Sequence, residues 1–160
     1  MTHEEWEDRC TMVEPGLYVG EVAVRAEEKW LYEVGIDAVV SILTKEQAAE
    51  WNTLAPVGKH FKHQTFNFGD RDKITPAQMD AILGSCGKMT LLHCISGANR
   101  STAIALCWLV DRGYTIVGAF RRYYASRGMA AAKVYAAVPR LTEEMANNVE
   151  NWLRSKGKEP

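Results

Sequence analysis

The residues with the clearest chemical potential in this chain are His93-Cys94-Ile95-Ser96-Gly97-Ala98-Asn99-Arg100-Ser101. They lie between Met89–His93, which reads as a strand, and Arg100–Arg112, which reads as an apolar helix ended by Gly113. A loop in that place can turn successive backbone N–H groups inward toward a helix N-terminus, forming a cradle for a phosphate-like anion. Ile95, Ser96, Gly97, Ala98, Asn99 and Arg100 would line it, with Gly97 giving the backbone freedom for the turn. Arg100 can hold two oxygens of the anion in a bidentate grip. The same inward N–H groups, helix end and guanidinium favour the thiolate of Cys94, which makes it an in-line nucleophile for phosphoryl transfer. Ser101 is placed to donate a hydrogen bond to the sulfur when it leaves, and His93 to orient the loop through its backbone. A lone cysteine after a strand would read as packing, and a lone arginine as solvated surface. Together, at this spacing, they read as a phosphate-transfer site.

The flanking sequence supplies elements that could position such a loop. Gly16–Gly20 reads as a short strand, Val22–Val34 as a helix stopped by Gly35, and Ala38–Leu43 as a strand buried on both faces. Lys45–Trp51 reads as a short helix and His63–Phe68 as a further strand. Thr75-Pro76 is a cap followed by proline at the first helical position, opening a helix to about Ser85. Thr115 caps a helix to about Arg127, and Pro139 is expected to open a last one to about Leu153. Strands alternating with helices predict a single α/β domain over residues 1–160, with a mostly parallel sheet of about five strands and helices on both faces. Active sites in such sheets sit at the carboxyl ends of strands, where Cys94 falls.

Bulk properties narrow the function. The chain has 19 basic and 20 acidic residues, a net charge of −1, and 47% apolar residues. There is no general positive field to attract nucleic acid or anionic lipid, so any phosphate recognition must be local. The acidic, polar first ten residues lack the pattern of a secretory signal, Thr2 excludes N-myristoylation, and no apolar run reaches membrane-spanning length. Cys10, Cys86, Cys94 and Cys107 lack a zinc-type spacing, which favours a reduced, intracellular, cytoplasmic setting with the nucleus left open. Cys107 reads as core. Cys86 reads as packing, with a redox partnership to Cys94 as the alternative. Arg121-Arg122 beside Tyr123-Tyr124 reads as a helix surface with two aromatics turned inward.

The loop His-Cys-x-x-Gly-x-x-Arg-Ser resembles the signature of the protein tyrosine phosphatase superfamily, and its surroundings resemble the dual-specificity branch. Pro15–Gly20 is similar to that branch's opening strand, Gly35–Ser41 to its second, and Arg112–Arg127 to the helix after the active-site helix. The likeness is clearest over residues 15–127 and weakens at Gly128–Ala132.

This resemblance implies a phosphocysteine mechanism at Cys94 and an aspartic acid that protonates the leaving oxygen. Asp70 occupies the matching place, with Asp72 as its rival. It implies no cofactor and no metal, since a thiolate is the nucleophile and Arg100 with backbone N–H groups meets the phosphoryl charge. The substrates implied are phosphotyrosine and phosphoserine or phosphothreonine of proteins or peptides, bound by a monomer without nucleic acid or a membrane anchor. The loop has no lysine at Ile95, Ser96, Ala98 or Asn99, unlike the phosphoinositide-selective branch, and the chain is less basic than RNA 5′-phosphatases of the superfamily. A phosphate-reading module without turnover is the alternative of a different class. The sequence leaves open whether Asn99 braces the loop or faces the substrate.

Overall fold

Every residue of strand β3 (Ala38–Ile42) is buried, so this strand has no solvent face and must lie inside a sheet covered on both sides. The computed structural model describes residues 3–21, 28–51, 61–95, 99–128 and 141–158 and places β3 in that position. In chain order the remaining elements begin with α1 (His3–Arg9), β1 (Cys10–Glu14), β2 (Leu17–Gly20) and α2 (Glu28–Glu33). After β3 come α3 (Lys45–Trp51), β4 (Lys62–Phe66), α4 (Pro76–Gly84), β5 (Thr90–His93) and α5 (Arg100–Asp111). The chain continues through α6 (Ile116–Tyr123), a π-helical turn (Tyr124–Gly128) and α7 (Glu143–Ser155). The sheet order is β1-β2-β5-β3-β4, with β1 antiparallel to β2 and all other pairs parallel. This is the mostly parallel α/β architecture expected, with five strands.

Two layers cover the sheet. On one face α5 is buried at every residue from Arg100 to Val110 and packs against α4, α6 and α7. Its Ile104, Leu106 and Leu109 join Val40, Ile42, Leu92, Met145 and Trp152 in the larger core. Truncating one of these, such as Leu106→Ala, costs about 2–5 kcal/mol. On the other face Trp6 of α1 and Leu31 of α2 pack on Val39 and Leu91 in a smaller core.

Short-range chemistry sets the approach to the site. Asp37 accepts hydrogen bonds from the backbone N–H groups of Lys88 (3.1 Å) and Met89 (3.0 Å), pinning the entry to β5 against β3. A Cβ on Gly87 would collide with that carboxylate, so a larger residue there would displace Asp37 from these bonds. Thr75 caps α4 in a reciprocal box with Gln78, as its sequence suggested.

The expected helix from Pro139 is corrected: α7 begins at Glu143 behind Thr142, whose side chain accepts from Met145 N–H. Pro139 itself lies outside the described residues, as do residues 22–27 of the expected Val22–Val34 helix. Elsewhere the expected Lys45–Trp51 helix matches α3 at both ends, other boundaries coincide or shift by up to four residues, and α6 opens into the π-helical turn before Arg127. Helix α1 and strand β1 had no counterpart in the sequence reading. Among the described residues no helix is long and apolar enough to cross a membrane.

Candidate active site

Cys94 follows directly on β5, a strand held in parallel between β2 and β3, and so stands at the sheet's carboxyl edge. Its side chain is buried. The next described residues after Ile95 are Asn99 and the first turn of α5, so both ends of the nine-residue motif are fixed by regular structure. Ser96, Gly97 and Ala98, expected to line the cradle, lie outside the described residues.

Arg100 is 4% exposed, which makes its bracing decisive. Its Nη1 donates to Gln47 Oε1 at 2.8 Å and to the carbonyl of Phe68 at 3.1 Å. Both acceptors are uncharged, so they orient the guanidinium without neutralising it. Gln47 can do this because it starts α3 in a reciprocal arrangement with Thr44, accepting from Thr44 N–H at 3.0 Å. The Arg100 Nε lies 3.1 Å from Asp70 Oδ1, yet its N–H is not aimed at that oxygen and has no hydrogen-bond acceptor among the described residues. A buried N–H left without an acceptor is ordinarily destabilising, and here it is available to an incoming oxyanion. The Ser101 hydroxyl at the same helix end is likewise fully buried, without a partner among the described residues.

The two candidate acids separate cleanly. Asp70 carries its carboxylate toward the site, beside Arg100 and Asn99. Asp72 instead folds back on its own loop, where Oδ2 accepts from Gly69 N–H at 2.6 Å. Asp70 therefore stands beside Arg100, whereas Asp72 holds a turn.

The contacts of Asn99 run away from its own loop, to Asp70 and Thr142. Its Nδ2 donates to Asp70 Oδ1 at 2.8 Å and to Thr142 Oγ1 at 3.3 Å, and its Oδ1 accepts from Thr142 N–H at 2.8 Å. Thr142 also donates to the carbonyl of Asp70 at 3.0 Å. Asn148, buried in α7, accepts from Ile74 N–H at 2.9 Å and donates to the Asp72 carbonyl at 2.9 Å. The acid loop is thus held from two sides, by the residue before Arg100 and by the last helix. Gln47, Thr142 and Asn148 were not singled out by the sequence. The Thr-x-x-Gln spacing at residues 44–47 was the only available signal for Gln47.

His93 is buried next to Cys94, and its Nδ1 lies 3.1 Å from the Cys94 carbonyl. Burial, with smaller contributions from His63 and Arg100, pushes the imidazole down to about 4, so it is neutral near pH 7.

The other cysteines stand apart from the chemistry. Cys86 precedes β5 whereas Cys94 follows it, and a four-residue strand spans roughly 13 Å, well beyond disulfide reach. Cys86 packs against the core, and burial pushes its thiol up to about 11, which leaves it an inert thiol. Cys107 is core and its thiol is pushed up by burial. Tyr123 turns inward to hydrogen-bond Thr102 at 2.8 Å and Arg122 lies 3.6 Å from Glu14, so this basic stretch serves packing as expected.

No family model matches the chain, and no curated protein matches it in sequence. Solved structures do match in three dimensions. A mouse putative dual specificity phosphatase complexed with zinc tungstate is 16% identical, with a TM-score of 0.75, covering 96% of this chain and 93% of that one. A human tyrosine phosphatase-like serine/threonine/tyrosine-interacting protein is 15% identical, with a TM-score of 0.73, covering 93% and 98%. PTPMT1 in complex with PI(5)P is 10% identical, with a TM-score of 0.71, covering 89% and 93%. The fold of this chain is accordingly the one that these phosphatase structures share.

Proposed function

We propose that this chain is a phosphatase that hydrolyses phosphotyrosine and phosphoserine or phosphothreonine monoesters of proteins through a phosphocysteine at Cys94. The observation that carries this reading is the pairing of a buried Arg100, oriented by Gln47 and the Phe68 carbonyl, with Asp70 held beside it. Arg100 offers its remaining N–H groups to phosphate oxygens. The Cys94 thiolate attacks phosphorus, forming the S–P bond as the ester P–O bond breaks, and Asp70 gives its proton to the departing oxygen. The Asp70 carboxylate then takes a proton from water while the water oxygen bonds to phosphorus. The S–P bond breaks, phosphate leaves, and Ser101 donates a hydrogen bond to the returning sulfur.

The charge around the acid favours a single phosphate. A depression of about 490 Å³ beside the acid is lined by Asp70, Arg71, Thr142, Glu143, Glu144 and Asn147. Its three carboxylates outnumber one guanidinium and oppose a second phosphate there. With no lysine in the described part of the loop, this supports a phosphoprotein monoester over a multiply phosphorylated lipid or an RNA 5′-triphosphate.

The test is turnover of a small aryl phosphate by the purified chain, its block by vanadate, and its loss in Cys94→Ser. Binding of tungstate without turnover would replace the proposal with a phosphate-reading module. Faster hydrolysis of a phosphoinositide than of phosphopeptides would redirect the substrate class.

A further inference from the structure

Strand β3 is apolar except for Ser41, which is buried in the sheet opposite His93 of β5 and Thr65 of β4. A hydroxyl there needs partners, and it has two histidines. Ser41 Oγ lies 2.6 Å from His93 Nε2 and 2.7 Å from Nε2 of the half-buried His63 on β4. The hydrogens in this chain can be placed from one fact. The Cys94 carbonyl can only accept, so His93 Nδ1 must carry the proton of their 3.1 Å contact. Neutral His93 then has a lone pair at Nε2, which must accept from the Ser41 hydroxyl. That spends the only hydroxyl hydrogen, so His63 must donate to Ser41 through its own Nε2–H. The direction runs unbroken from His63 to Ser41 to His93 to the carbonyl of the nucleophilic residue.

From this geometry we infer that Ser41 and His63 are positioning residues for the phosphate loop, holding His93 in the one tautomer that anchors Cys94. The inference rests on the catalytic reading of Cys94 and adds two residues that touch neither substrate nor sulfur. A proton added to His63 leaves the chain intact, because the cation still donates from Nε2. A proton added to His93 reverses both links: Nε2–H would donate to Ser41, and Ser41 to His63. That reversal is disfavoured, since His93 is fully buried and feels the charges of Arg100 on α5 and of His63 on β4. Burial also lowers the pKa of His63. Among the described residues no carboxylate contacts either ring to offset this. The chain therefore holds one direction across the neutral range.

The decisive experiment records ring-nitrogen NMR spectra of the 15N-histidine-labelled chain and, separately, the pH dependence of Cys94 alkylation by iodoacetamide. In wild type His93 is expected as the Nδ1–H tautomer from pH 5.5 to 8. Ser41→Ala and His63→Leu should each leave a folded protein in which His93 exchanges between tautomers. The alkylation inflection should move upward by about 0.4–1 pH unit, the scale of one hydrogen bond. His63→Gln retains an N–H donor and should restore the wild-type inflection. Finding His93 as the Nε2–H tautomer in wild type overturns the inference. So does an inflection in Ser41→Ala that matches wild type while the thermal midpoint alone falls. Neither readout requires turnover, so failure of the phosphatase reading and failure of the relay register separately.

Discussion

Replacing Asn99 by alanine tests whether the residue before Arg100 aims the acid. The change removes three contacts: the 2.8 Å donation to Asp70, and the 3.3 and 2.8 Å contacts with Thr142. The bond to Asp70 has a charged acceptor, and such bonds are worth about 1.5–3 kcal/mol. Because Asp70 is 52% exposed, water competes for it and the lower end applies. About 1.5 kcal/mol lost from the positioning of the acid corresponds to roughly a tenfold fall in kcat. The two neutral contacts to Thr142 are also exposed and contribute about 1 kcal/mol together to the docking of α7, so the thermal midpoint should drop by about 2–4 °C. The assay is kcat for a series of aryl phosphates with leaving groups of increasing basicity. Where the leaving oxygen needs a proton the tenfold loss should appear in full, and it should fade as the leaving group improves. A loss equal for good and poor leaving groups would show that Asn99 acts on the phosphate cradle and not on Asp70. No loss at all would remove it from the site.

Asp70→Asn should lower kcat by roughly 10²–10⁴ and abolish the alkaline limb of a bell-shaped pH profile, whereas Asp72→Asn should keep both limbs; the reverse pattern would make Asp72 the acid. Gln47→Ala should weaken vanadate binding by about 10- to 150-fold, the scale of one hydrogen bond with a charged partner, and unchanged affinity would mean Phe68 alone suffices to brace Arg100. His93 links stability to pH. Its folded value of about 4 lies below an unfolded value of about 6.5, so the unfolded chain binds the extra proton between them. The neutral ring's contribution is complete above pH 6.5 and is lost as pH falls toward 4, by an amount of order 3 kcal/mol. Denaturant titrations should therefore show a smaller loss between pH 7 and pH 5 in His93→Gln than in wild type, and equal losses would mean that the buried ring does not titrate as described.

The parts of this site that the sequence revealed are those in which a single short segment carries the chemistry. Cys94, Arg100 and Ser101 sit between a strand and a helix whose own periodicity identifies them, so their spacing alone pointed to the site. The choice between Asp70 and Asp72 could not be read locally, because both lie in one charged turn. What separates them in space is Arg100, some thirty positions later and beside Asp70, and the backbone of Gly69, which holds Asp72. Asn99 acquired its role through Thr142, which the expected helix start at Pro139 had concealed inside a helix. Gln47 was not singled out, because a short helix over Lys45–Trp51 gives no local sign of a partner about fifty positions away. Ser41 did leave a trace, as the lone hydroxyl in a strand buried on both faces, since such a group must find a partner. Strand β1 was missed because it is an edge strand whose pairing depends on the turn at Pro15-Gly16, where Gly16 takes a φ of 103°.

Trapping the covalent intermediate tests the central claim most directly. Wild-type chain mixed with an aryl phosphate, quenched in acid within the first turnovers and digested, should yield one phosphorylated peptide with the phosphate on the sulfur of Cys94. Cys94→Ser should yield none. Phosphate on any other residue, or steady turnover with no phosphorylated enzyme under conditions where hydrolysis of the intermediate is slowed by Asp70→Asn, would contradict a phosphocysteine mechanism.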